Sequence, residues 1–87
     1  MIVGETKSRF KFEIEDAALD DWELLTALSE VDDGNVRMLT KIPKMLLGAE
    51  QAKSLTEHLR EANGRVPASK MTEAIRDIFD SAKELKN

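Results

Sequence analysis

Asp16-Ala-Ala-Leu-Asp-Asp-Trp-Glu-Leu-Leu-Thr-Ala-Leu-Ser-Glu-Val31 contains the only tryptophan of the chain and its most acidic run. Ala18, Leu19, Trp22, Leu25, Leu28 and Val31 recur at steps of three and four, and Asp20, Glu23, Ala27 and Glu30 fall on the other side. The spacing predicts an amphipathic helix over the whole stretch. Asp16 is placed to cap it, with Asp20, Asp21 and Glu23 near the positive end of the helix dipole. On this phase Trp22 is expected to anchor the core, with Leu25 and Leu28 beside it and the last helix opposite.

Working outward, 87 residues make one domain, 1–87, with a single modest core and little room for a deep pocket beside it. That argues against an enzyme. The absence of cysteine excludes disulfides, thiolate metal sites and a cysteine nucleophile, and it suits a reducing compartment. No run approaches the ~20 apolar residues that span a bilayer, and Met1–Lys7 lacks the apolar centre of a signal peptide. The expectation is a soluble protein of the cytoplasm. Charge is distributed unevenly: residues 13–33 hold nine acids and no base, and residues 34–48 hold Arg37, Lys41 and Lys44 with no acid. Packing the two blocks together lets their charges attract, at ~0–1 kcal/mol per exposed pair, so charge orients this packing and does not drive it.

Residues 1–7 show no period and read as a loose leader. Over 8–14, Phe10, Phe12 and Ile14 alternate with Arg9, Lys11 and Glu13, the period of a half-buried strand. A lone strand leaves its backbone unsatisfied, and Met1–Val3 is the one weak mate within the chain. After the first helix, Gly34 in Asp32-Asp33-Gly34-Asn35 suits a left-handed stop. Pro43 then divides Val36–Leu47 into a piece about one turn long through Thr40 and a second beginning near Pro43 and ending at Gly48. Ala52, Leu55, Leu59 and Ala62 predict a helix over 49–62, and Gly64 stops it. Met71, Ala74, Ile75, Ile78, Phe79, Ala82 and Leu85 form the most regular stripe and predict the longest helix over 67–85, starting at Pro67 or capped by Ser69. The fold class is therefore mainly α, a small bundle of about four helices with one N-terminal β-strand.

Catalytic patterns are sparse. His58, the only histidine, lies at the edge of an apolar helix face, where a structural role fits best. Asp20/Asp21 and Asp32/Asp33 read as solvated charge: adjacent helical residues point apart, and the Asp-Asp-Gly-Asn turn lacks the alternating ligands and distal glutamate of a calcium loop. No glycine-rich phosphate loop is present. No catalytic residue, cofactor or metal ligand is therefore expected. Arg37, Lys41 and Lys44 form one small basic stripe, but the neighbouring acids repel phosphate, so nucleic acid is not an expected ligand.

The phenylalanine-bearing strand, Leu19-Asp20-Asp21-Trp22-Glu23-Leu24-Leu25, the Lys44-Met45-Leu46-Leu47-Gly48 stop, Leu59-Arg60 and Gly64-Arg65-Val66-Pro67 occur in an order and spacing that resembles the short tail assembly chaperones of long-tailed phages and prophages. The likeness runs from about Ser8 to Leu85. It implies a non-enzymatic protein of the host cytoplasm that coats the long helical tape measure protein until tail-tube subunits polymerise around it. The tail-tube protein and a second copy of the chain are further candidate partners. The alternative is a small acidic helical DNA-binding or regulatory protein. Partner-binding is expected at Phe10, Phe12 and Ile14, because their strand lacks a convincing mate, and at Asp20, Asp21 and Glu23, because their repulsion would be relieved by a basic surface.

Overall fold

The structure, a computed structural model, describes residues 1–86, with side chains through Leu85. The chain opens with an antiparallel hairpin of β1 (Ile2–Glu5) and β2 (Lys11–Ile14), in which Ile2 faces Ile14, Val3 faces Glu13, Gly4 faces Phe12 and Glu5 faces Lys11. The expected loose leader is thus a strand, and the lone strand has its mate. Gly4 explains why no alternation was visible. A Cβ at this position would stand 2.6 Å from the Phe12 ring and 2.9 Å from a Leu85 methyl, so the apolar site that would mark a strand is filled from across the hairpin. Thr6 N–H donates to the Phe10 carbonyl and Arg9 N–H to the Thr6 carbonyl, each at 2.9 Å, and Arg9 takes a left-handed φ of 70° to close the turn.

Asp16–Asp20 forms a 3-10 segment, and the helix α1 (Trp22–Asp32) begins only after Asp21, whose backbone is extended. Asp21, not Asp16, is the cap: its carboxylate accepts the Glu23 N–H at 3.0 Å. This break resets the helical phase. Counted at about 100° per residue from Trp22, the inner face is Leu24, Ala27 and Val31, and Trp22 lies opposite. Leu24 and Ala27 are buried, whereas Trp22 is 80% exposed. Trp22 is therefore not a core anchor; the stripe drawn through Ala18 and Leu19 crossed a helix boundary.

Gly34, at φ 103°, turns the chain into a second 3-10 segment, Val36–Thr40, which packs on α1, although no ion pair among the described residues joins the acidic and basic blocks. Helix α2 (Ile42–Leu47) carries Pro43 in its first turn, where a missing N–H leaves no helical bond unmade. Gly48, at φ 83°, leads directly into α3 (Ala49–Leu59), which stops three residues before the expected end. Helix α4 (Ala68–Lys86) starts where the Pro67 carbonyl accepts the N–H groups of Lys70 and Met71 at 3.1 Å.

Every main element except β1 contributes a residue to the fully buried centre: Phe12 from β2, Leu24 from α1, Ile42 from α2, Leu55 from α3, and Ile75 with Ile78 from α4. Burial of each such side chain stabilises by ~1.5–3 kcal/mol, so this layer holds the helices on the hairpin. No described helix is long and apolar enough to cross a membrane.

Candidate binding groove

The expected partner surfaces divide into two groups. Phe10, Phe12 and Ile14 are all buried inside the chain, at 8%, 1% and 2% exposure, and cannot present themselves to a partner. On the outer edge of β2, the Glu13 backbone is engaged as well. The Gln51 side chain accepts the Glu13 N–H at 2.8 Å and donates to the Glu13 carbonyl at 2.5 Å, as a neighbouring strand would. Asp20 and Glu23 are exposed, and Asp21 is half-buried and engaged as the helix cap. These three flank Trp22.

Trp22 is the largest apolar side chain on the surface, and Leu25, its neighbour three residues on, is 41% exposed. Leu25 also lines a groove of about 400 Å³ between α1 and α4. Leu28 and Val31 of α1 and Phe79 of α4, all half-buried, give it its accessible apolar surface, over a floor of buried Leu39, Ile42 and Ile75. Asp32 and Arg76 form an ion pair across its rim, joining the end of α1 to the middle of α4. Asp80 stands on the same rim without an ion-pair partner among the described residues.

Phe79, Ile75 and Arg76 were legible in the sequence only as parts of a core stripe and its wet side. The signal for the groove was nevertheless present. A helix started at Asp21 puts Leu24, Ala27 and Val31 inside and leaves Trp22 and Leu25 on the outer side, facing whatever does not pack there. A second depression, of about 760 Å³, lies between the hairpin turn and α4. Its lining is rich in charged side chains, and the Asp77 carboxylate there already accepts the Lys7 N–H at 2.7 Å.

The remaining chemistry is structural. His58 Nε2–H donates to the Ser8 carbonyl at 2.8 Å, with its ring 5.5 Å from that of Phe10, and so ties α3 to the hairpin turn. No group of histidines and carboxylates with metal-binding geometry occurs among the described residues. Arg37, Lys41 and Lys44 are exposed, on the second 3-10 segment and α2, and none makes a salt bridge with a described residue. Among known proteins, no family model matches the sequence, and no curated protein or solved structure is significantly similar to it.

Proposed function

We propose that this protein is a non-enzymatic tail assembly chaperone, which binds helical segments of a tape measure protein and keeps them soluble until the tail tube polymerises around them. The observation that carries this reading is the exposed apolar tract that runs from Trp22 through Leu25 into the groove between α1 and α4. An isolated domain gains nothing from exposing its sole tryptophan beside an open apolar groove, whereas a protein that shields the apolar face of another helix needs such a surface. The client itself is supplied by the sequence resemblance. Its test is co-expression with the tape measure protein of the same genome: the two co-purify if the reading is right, and the client aggregates with no bound partner if it is wrong.

A further inference from the structure

We infer that the segment accepted by this groove is a cationic amphipathic helix, seated with its apolar stripe between α1 and α4 and with a lysine or arginine over Trp22. The inference rests on the helix-binding function proposed above and adds to it the site and the charge of the partner. The groove extends along α1 from Leu25 to Asp32 and along α4 from Thr72 to Asp80. That is about two helical turns, ~10–12 Å, a length that takes apolar side chains spaced i, i+3 or i+4, and i+7 on an incoming helix.

The charge of the partner follows from what surrounds this tract. From Glu13 to Asp33 the chain has no basic residue. Asp20 and Glu23, on either side of Trp22, and Asp80, on the groove rim, make no ion pair among the described residues. Arg76 lines the groove and is neutralised by Asp32, and Lys83, over the Phe79 ring at 5.6 Å, is the one further base beside it, against the three unpaired carboxylates. An anionic helix would meet the unpaired carboxylates of Asp20, Glu23 and Asp80 toward the Trp22 end of the site, and phosphate-bearing nucleic acid or an anionic bilayer would meet the same repulsion. A cationic side chain gains twice. It stacks on the exposed indole face, and it lies close to carboxylates that otherwise repel one another.

The 87-residue protein carries its own reporter, since Trp22 is the sole tryptophan and there is no tyrosine. The experiment titrates it with a synthetic leucine–lysine amphipathic helix of ~14 residues, about four turns, and with counterparts in which glutamine or glutamate replaces lysine. The lysine peptide is expected to shift the Trp22 emission and to bind about tenfold more tightly than the glutamine peptide, with an affinity that falls as salt is added. Asp20→Asn combined with Glu23→Gln is expected to weaken it about tenfold, while Glu50→Gln combined with Glu84→Gln, on α3 and the far part of α4, leaves it within about twofold. Equal affinity for the lysine and glutamine peptides overturns the charge assignment but leaves helix binding in place. Binding that does not move the Trp22 emission, or that weakens equally with the Glu50/Glu84 pair, overturns the site. Failure of all three peptides overturns the inference entirely, and co-purification of the tape measure protein then decides the wider function independently.

Discussion

The side-chain amide of Gln51 on α3 pairs with the backbone of Glu13 on β2 in both directions, accepting its N–H and donating to its carbonyl. A third bond, from the same Gln51 nitrogen to the Leu47 carbonyl at 2.9 Å, fixes the amide against the end of α2. A glutamine thus supplies at Glu13 what a third strand would, and it covers that part of an edge that would otherwise be open to another chain.

Gln51→Ala should therefore cost ~1–2 kcal/mol, the net value of one or two such bonds, as read from chemical denaturation. Gln51→Glu separates the two directions. A carboxylate cannot donate to the Glu13 carbonyl, so this variant should be no more stable than the alanine variant, and both should self-associate more than the parent in light scattering. A glutamate variant as stable as the parent would show that the edge is not held by this pairing.

Gly4 is expected to tolerate no side chain. In Gly4→Ala the new methyl meets the buried Phe12 ring well inside contact distance, and although the exposed Leu85 side chain can move aside, the ring or the hairpin must shift, at ~1–3 kcal/mol of stability. Denaturant midpoints unchanged by this substitution would mean that the Phe12 ring yields here without cost.

Trp22 and Leu24, two residues apart, should behave as opposites. Trp22→Ala is expected to change stability by less than ~0.5 kcal/mol, as exposed positions do, and Leu24→Ala to cost ~2–5 kcal/mol. The native emission of Trp22 should also be readily quenched by acrylamide. A large loss of stability in Trp22→Ala would restore the indole to the core.

This pair also marks the limit of what was legible in the sequence. The helical character of the chain, the division at Pro43, the stops at Gly34 and Gly48, and the stripe of α4 follow from local rules, and the structure has them, whereas α3 ends at Leu59, short of the stop expected at Gly64. The phase of α1 could not be read the same way. Ala18 and Leu19 extend the apolar spacing backward across Asp21, and nothing short of the extended backbone at that residue says that the helix starts afresh. Strand β1 was hidden because Gly4 yields its side-chain position to Phe12, a tertiary fact. Of the expected contact residues, Asp20 and Glu23 remain on the surface beside Trp22, while Phe10, Phe12 and Ile14 belong to the core.

Arg60 secures the loop after α3, and its effect should depend on pH in one direction. Its Nε and Nη2 donate to the two carboxylate oxygens of Glu57, each at 2.8 Å, and Nη1 donates to the Gly64 carbonyl at 2.6 Å. The hydrogen bonds from Arg60, aided by its charge and that of Lys53 and opposed by slight desolvation, hold the Glu57 carboxyl below its ordinary value. A carboxyl depressed by folding contributes stability above its unfolded pKa, and that contribution is lost as pH falls through the folded value. Amide exchange in residues 61–65 should therefore be slower in the parent than in Glu57→Gln at neutral pH, and the difference should vanish in acid. A difference that persisted below the carboxylate range would assign the protection to something other than this pair.

Co-purification of the tape measure protein with Trp22→Ala/Leu25→Gln tests most directly whether the tract from Trp22 into the α1–α4 groove is the client site. Both side chains are exposed, so the double variant should keep the circular dichroism of the parent and melt within a few degrees of it, yet bring down little or no client. A variant that folds as the parent does and still recovers the client in full would place the binding surface elsewhere on the molecule.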